Sequence, residues 1–245
     1  MLIDRIVRAR LAGRDELCDI VVGGGLVVGV VPHDHDGRPG DTVLDADGRV
    51  VAPAFVDAHV HLDKAFLPVG DCAPVLDAAI ATVDRARATT GLTEVFDAAR
   101  RAVDVLVRNG TVAARVHAEV VPRIGLALLA LQLELVEAVR ERCVLQLVAF
   151  PQLGLDLPEA VDLLHAAMAL GAPVVGGCPY VDPDPARHLD VVFALADKYQ
   201  RPVDIHLDFG DEPRRSQLDL VIERTEALGL RGRVAISHVT TLAAM

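Results

Sequence analysis

From Val51 onward, short apolar segments alternate with longer segments rich in Ala and Leu. The short segments have the length and the β-branched residues of buried strands, whereas the longer ones have the length of helices. Strands that alternate with helices pair in parallel, because each helix returns the chain to the end of the sheet where the next strand starts. We therefore expect an α/β fold built on a parallel sheet of six strands.

Turn and capping residues set the limits of the predicted elements. Thr93 is the expected N-cap before Glu94, and Asn109-Gly110 is the expected C-cap of the same helix. The first strand follows Val51. The other predicted strands span residues 111–120, 143–150, 172–178, 202–207 and 233–238. Residues 75–108 carry helical sequence, and the other predicted helices span residues 126–141, 158–170, 185–199 and 213–228.

The first 50 residues follow a different pattern. The segment from Asp19 to Val31 is rich in β-branched residues and is interrupted by three consecutive glycines, which indicates a hairpin. We expect residues 1–50 to form a small β-sandwich-like domain ahead of a larger α/β domain at residues 51–245.

Two histidines separated by one residue close the first predicted strand, in the stretch Phe55-Val-Asp-Ala-His-Val-His-Leu-Asp-Lys64. Because side chains alternate between the two faces of a strand, His59 and His61 point the same way. A His-x-His pair also arises by chance, but two imidazoles at the end of an apolar strand are poor core residues and good ligands for zinc and other transition metals. We expect them to supply the first ligands of a mononuclear metal site in a hydrolase of the barrel type.

Further polar residues fall at or just past the ends of later predicted strands. In parallel α/β folds, catalytic groups collect at these carboxyl ends. Each histidine taken singly is equally compatible with a hydrogen-bonded core position, but together they favour a site. His165 and His188 lie in or at the start of predicted helices, so we expect them to be structural or solvated. The strand-end residues are His117, Gln152, His206 and His238.

The composition excludes several classes of partner. A formal net charge of −11 argues against nucleic acid and anionic membrane surfaces, which call for basic faces. The sequence shows no signal-peptide pattern and no apolar run long enough for a bilayer, so we expect a cytoplasmic protein with reduced cysteines. The Ala- and Leu-rich helices would allow a homo-oligomer.

Four motifs resemble the amidohydrolase superfamily, and within it the cytosine deaminase-like branch, together with N-isopropylammelide aminohydrolase-like relatives that remove alkylamino groups from triazine rings. The resemblance runs from about residue 50 to the last residue. The matching motifs are Phe55–Lys64, Val148-Ala-Phe-Pro-Gln-Leu-Gly154, Val203-Asp-Ile-His-Leu-Asp208 and Arg233-Val-Ala-Ile-Ser-His-Val-Thr240.

The resemblance implies one divalent metal ion, Zn or Fe or else Mn, and a small heterocyclic substrate. Gln152 would hydrogen-bond the substrate ring, and His238 would sit beside the attacking hydroxide and the developing oxyanion. His117 and Glu119 match a His-x-acid pair on the second strand, and we expect His117 to contact the substrate. The implied metal ligands are His59, His61 and His206.

Phe209 marks a departure from the branch. Cytosine deaminases carry a proton-shuttling Glu at the matching position, and a phenyl ring cannot carry a proton. The role would pass to Asp208, Asp211 or Glu212, or the reaction would differ. We place Asp208 in the catalytic role and Phe209 in contact with the substrate, where a bulkier or more apolar ring than cytosine would suit it.

Length is a second departure. In the superfamily, an Asp at the end of the eighth strand is the last metal ligand and the general base, whereas six strands are predicted here and a closed barrel needs eight. We expect an incomplete TIM-type (β/α) barrel that lacks its C-terminal strands, as in the first part of a longer protein or in a chain complemented by a partner.

Three functions remain open on the sequence. The first is metal-dependent hydrolysis of a C–N bond of a nitrogen heterocycle, that is, deamination by metal-activated water. The second is hydrolysis of a cyclic amide or of an N-alkylamino substituent on such a ring. The third is an inactive remnant that binds a ligand or a partner chain.

Overall fold

The computed structural model describes residues 3–33, 40–67, 70, 76–210 and 216–244. These residues divide into two compact units, residues 1–54 and 55–245. The sequence analysis placed the division between residues 50 and 51.

The smaller unit is a five-stranded sheet in which β1 pairs with β2, β4 and β5, and β2 pairs with β3. The predicted hairpin is formed by β2 and β3, and Gly24 and Gly25 both have positive φ in its turn. Ala9, Ile20 and Ala46 form its small core. The strands are β1 (Arg5–Leu11), β2 (Cys18–Gly23), β3 (Leu26–Pro32), β4 (Val43–Asp45) and β5 (Val50–Val51).

The larger unit is a parallel sheet of six strands in sequence order, with helices between them. Its core consists mainly of Leu, Val and Ala from the strands and from the faces of the helices that cover them. The strands are β6 (Phe55–Val60), β7 (Thr111–Glu119), β8 (Val144–Phe150), β9 (Val174–Gly177), β10 (Val203–Leu207) and β11 (Val234–His238). The helices are α1 (Leu76–Ala88), α2 (Leu92–Arg108), α3 (Ala127–Val139), α4 (Ala160–Leu170), α5 (Pro185–Tyr199) and α6 (Leu218–Ala227).

The six-stranded sheet curls strongly. His59 of β6 and His238 of β11 belong to the two outermost strands, yet their ring centroids are 5.1 Å apart. In a flat sheet, five strand spacings would separate them by roughly 24 Å. The predicted α/β class and the incomplete TIM-type barrel of six strands are therefore confirmed.

Two local predictions were wrong. The helical sequence at residues 75–108 forms two helices, because the chain leaves helical geometry before Gly91, whose N–H donates to Glu94 Oε2 at 2.9 Å. Gly91, not Thr93, is the N-cap of α2. The first strand was expected to begin as a buried run, but Phe55 and Val56 are 67% and 68% exposed. β7 is the one described strand that pairs with β6, so the outer edge of β6 stays open.

Among the described helices, none combines the length and the apolar composition that crossing a bilayer would require.

The loop after β8 is fixed by one buried carboxylate. Asp182 Oδ2 accepts the N–H of Leu155 at 2.8 Å and lies 2.6 Å from His188 Nδ1. Gly154 passes so close to this carboxylate that a Cβ built on it would lie 1.8 Å from Asp182 Oδ1. Gly154 also has a φ of +84°, which L side chains rarely adopt. Both constraints demand glycine two residues after Gln152.

We expect Gly154→Ala to lower the free energy of unfolding by roughly 2–4 kcal/mol, because the methyl group adds overlap to backbone strain. Urea denaturation measures the change. Gly29→Ala is the control, because its φ is not positive and nothing lies within 4 Å of an added Cβ. Equal stability of Gly154→Ala and the unaltered protein would contradict this account of the loop.

Candidate metal centre and active site

Five histidine rings converge at the carboxyl ends of the strands. The ring of His59 has its centroid 4.2 Å from that of His117 and 4.5 Å from that of His206. His61 and His238 lie 5.3 Å and 4.9 Å from His206 by the same measure. These residues come from four strands, so the curl of the sheet, not sequence proximity, creates the cluster.

Local sequence explains how each ring reaches the cluster. His59 and His61 are two residues apart at the end of β6, where alternate side chains face the barrel interior. A 3-10 turn at Leu62–Lys64 follows, and the buried side chains of Leu62 and Asp63 anchor it. At the last strand pair, Leu207 of β10 lies in register with His238 of β11.

Burial keeps the imidazoles of His59, His61 and His206 neutral. Burial, and then the neighbouring His117 and His238, lower the pKa of His59 from its ordinary 6.5 to about 4. Burial is also the main cause that holds the pKa values of His61 and His206 far below 6.5. Neutral imidazole is the form that binds metals, so these rings are ready to act as ligands at neutral pH.

The donor atoms suit a divalent transition metal. The Nε2 atoms of His61 and His206 lie 3.2 Å apart. His59, His117, Asp204 and His206 each offer a ligand atom, and these four atoms lie within 4.8 Å of one another. Four buried Nδ1 atoms in the cluster lack a hydrogen-bond partner among the described residues, which is costly for buried polar atoms. They belong to His59, His61, His117 and His206.

Asp204 is a site residue that the sequence analysis missed. Its Oδ1 lies 3.0 Å from His117 Nε2, and its Oδ2 accepts from Arg115 at 2.8 Å. Burial alone would raise the pKa of Asp204, but the hydrogen bonds from His117 and Arg115 hold it below its ordinary value. The signal in the sequence was the spacing, since Asp204 precedes His206 by two residues on one strand and shares its face.

A cavity of about 200 Å³ opens beside the histidine cluster. One part of its wall is polar and carries Lys64, Glu119 and Gln152, with Lys64 Nζ donating to Gln152 Oε1. Another part of the wall is apolar and consists of Ala79 and Val83 of α1 together with aromatic rings. Tyr180, Phe209, His61, His206 and His238 complete the described lining.

A buried network of charges supports the polar wall. Arg87 of α1 donates to Glu119, and its guanidinium also lies 3.6 Å from Asp63 Oδ2. Asp63 in turn accepts the N–H of Glu119 at 3.1 Å. Burial raises the pKa of Glu119, while Lys64 and Arg87 oppose that rise. The sequence analysis gave no role to Lys64 or Arg87, although Lys64 belongs to the His-x-His motif.

Three sequence-predicted residues have contacts that bear on their roles. Asp208 is 4% exposed, and its carboxylate accepts from Ser216 Oγ and from the N–H of Gln217 at 2.9 Å, so it fixes the start of α6. It is not among the described lining residues of the cavity, whereas Phe209 is. His117 is fully buried and is likewise outside that lining.

Asp211 and Glu212, the other acids considered for proton transfer, lie outside the described residues. The backbone at the ends of β10 and β11 is unusual. Asp208, His238 and Val239 have φ values of +50°, +69° and +47°. Positive φ is uncommon for residues other than glycine, and such strain clusters at functional sites.

Comparisons with known proteins agree with this architecture. The model of the amidohydrolase family matches residues 42–134. N-isopropylammelide isopropyl amidohydrolase of Pseudomonas sp. (strain ADP) is 31% identical over 252 aligned positions, which include 96% of this chain. The crystal structure of N-isopropylammelide isopropylaminohydrolase from Burkholderia multivorans superposes with a TM-score of 0.86, at 31% identity over the whole chain. The chain belongs to the amidohydrolase superfamily.

The crystal structure of 5-methylcytosine deaminase from Klebsiella pneumoniae is also similar, with a TM-score of 0.90 and 26% identity over 98% of this chain. The chain spans only part of the length of these relatives. It covers 60% of the Pseudomonas protein, 63% of the Burkholderia protein and 60% of the Klebsiella protein. The predicted superfamily is thus confirmed for the part of the barrel described.

We expect the stability of the metal-free protein to fall as the pH drops from about 7 to about 5. His59 and His206 have pKa values below the 6.5 of an unfolded chain, so below that pH the unfolded state binds more protons. Urea denaturation in the presence of a chelator measures the slope. His206→Asn should flatten it, and a stability that does not change with pH in this range would contradict the burial of neutral imidazoles.

Proposed function

We propose that this protein is a metal-dependent hydrolase that cleaves a C–N bond of a nitrogen heterocycle. The observation that carries the proposal is the convergence of His59, His61 and His206, with the Nε2 atoms of the last two 3.2 Å apart. Their lowered pKa values and the adjoining cavity support it. The similar proteins are named as enzymes that act on such rings, which agrees with this chemistry.

His59, His61 and His206 would hold one divalent ion, Zn, Fe or Mn. When bound, such an ion lowers the pKa of water toward neutrality and polarises the electrophile. Imidazole accepts all three metals, so the donor set fits each of them. The orphaned Nδ1 atom of His59 supports occupation by a cation, whereas His61 and His206 would bind it through Nε2.

The polar wall of the cavity would bind the substrate ring. Gln152 presents an amide whose oxygen accepts from Lys64, which leaves its NH₂ group to donate to a ring oxygen. Lys64 has three N–H donors, so it can contact a ring carbonyl while it keeps Gln152 in place. This pairing orients the ring and so brings its electrophilic carbon toward the histidine cluster.

His238 is the residue we assign to proton transfer. It lines the cavity, and burial lowers its pKa, so the ring is neutral and can accept a proton near neutral pH. His238 would take a proton from the attacking water and pass it to the departing nitrogen, so that an amine or ammonia leaves. We assign Asp208 to positioning instead, because its oxygens bind Ser216 and Gln217.

A second substrate class is favoured by Phe209. The centroid of its ring lies 4.7 Å from that of His238 and 6.3 Å from that of Tyr180. Together with Val83, these rings give the cavity an apolar side where an N-alkyl substituent would be buried favourably. We therefore propose N-alkylamino-substituted rings or cyclic amides as alternative substrates to a simple aminopyrimidine.

A panel of cytosine, isocytosine, N-alkylated ammelides and cyclic ureides separates the two classes. The apolar wall predicts release of alkylamine from N-alkylated rings in preference to release of ammonia from cytosine. Rapid deamination of cytosine would reject the second class, and no turnover of any compound with metal present would favour a protein that only binds its ligand.

We propose a cytoplasmic location for this reaction. We place the protein in the cytoplasm, where its cysteines stay reduced, and Cys18, Cys143 and Cys178 are free. The net charge of −11 supports the absence of nucleic-acid and membrane partners, and the apolar helices would allow a homo-oligomer.

Metal analysis tests the proposed centre directly. We expect about one equivalent of Zn, Fe or Mn in the gently purified protein, and loss of both metal and activity on chelation. Re-addition of one divalent ion should restore the activity. Less than about a tenth of an equivalent, with no uptake on titration, would contradict a metal-dependent reaction.

Two substitutions distinguish proton transfer from substrate binding. His238→Asn should lower kcat by about 10²–10⁴-fold with little change in metal content, because a general acid–base group is lost. Gln152→Leu should mainly raise KM, because it removes a contact made in the ground state. His165→Gln, on the outer helix α4, is the control and should leave both constants unchanged. Equal effects of all three would contradict the assignment.

A further inference from the structure

His117 has an environment that a structural core histidine does not need. Its side chain, on β7, is 0% exposed, and its ring centroid lies 4.2 Å from His59 and 4.7 Å from His206. Its Nε2 lies 3.0 Å from Asp204 Oδ1, while its Nδ1 is buried and has no hydrogen-bond partner among the described residues.

The tautomer of His117 follows from its partner. Asp204 is held on its other side by Arg115, whose NH1 donates to Oδ2 at 2.8 Å, so the ionised carboxylate can only accept. His117 Nε2 must then carry the hydrogen. In the neutral ring, the buried Nδ1 is left with an unshared electron pair.

His188 provides an internal comparison. It is also buried and also pairs with a carboxylate, through Nδ1 and Asp182 Oδ2 at 2.6 Å. Its second nitrogen, Nε2, accepts the backbone N–H of Cys178 at 2.9 Å. Both nitrogens of this structural histidine are therefore satisfied, whereas His117 has one satisfied nitrogen and one that still requires a donor or a cation.

We propose that His117 is a further ligand of the metal centre, coordinating through Nδ1, with Asp204 as the carboxylate that orients it through Nε2. Metal-bound histidines commonly donate their other N–H to a carboxylate, which fixes the ring and increases its basicity. Asp204 and Arg115 are then positioning residues. The proposal rests on the proposed metal-dependent function, but it revises the expectation that His117 contacts the substrate.

Titration of the metal-stripped protein with Co²⁺, against a competing chelator, tests the proposal through affinity and visible absorption. His117→Gln should weaken Co²⁺ binding by about 10²-fold or more and change the absorption spectrum, because a nitrogen ligand is lost. Asp204→Asn should weaken binding by about 10–100-fold and leave the spectrum close to that of the unaltered protein, because the ligand stays.

His188→Gln is the matched control, a buried histidine with a carboxylate partner outside the cluster, and it should retain both affinity and spectrum. Circular dichroism confirms that each variant is folded. A folded His117→Gln with unchanged Co²⁺ affinity and spectrum would overturn the proposal; should that variant fail to fold, unchanged affinity of Asp204→Asn overturns it. If the unaltered protein binds no Co²⁺, the proposed function itself fails.

Discussion

The packing of several neutral imidazoles against one another is the constraint on which the rest of the site depends. The centroids of histidine rings from β6, β7, β10 and β11 lie between 4.2 and 5.3 Å from one another, which only a strongly curled parallel sheet permits. Burial lowers the pKa values of His59, His61 and His206 and so favours their uncharged form, and proximity adds to this effect because two imidazolium ions would repel each other. The same physical state, neutral and desolvated, is the one that binds a transition metal.

Buried carboxylates hold the groups around this cluster. Asp204 orients His117, Asp182 fixes the loop that carries Gln152, and Asp63 and Glu119 connect the His-x-His turn to Arg87 of α1. Each carboxylate has at least one cationic or N–H partner, as burial of charge requires. These contacts hold the polar wall of the cavity, which Phe209, 39% exposed, also lines.

The differences between expectation and structure have physical causes. The start of α2 was predicted at Thr93, a common N-cap residue, but the cap is Gly91, whose N–H is satisfied by Glu94. The early residues of β6 are apolar, but burial depends on neighbours, and β6 lies at the edge of the described sheet. Asp208 was placed in the catalytic role because Phe209 stands where the resemblance implies a Glu. That role stays a prediction, and the structure adds that its carboxylate accepts from Ser216 and Gln217 at the start of α6.

The sequence alone determined the strand–helix alternation, the common face of His59 and His61, and the presence of polar residues at strand ends, because these depend on short-range periodicity. Only the tertiary structure decided which side chains meet. Asp204 pairs with His117 across 87 positions, and Lys64 reaches Gln152 across 88. Such pairs are set by the curl of the sheet and the register of its strands, which no local pattern encodes.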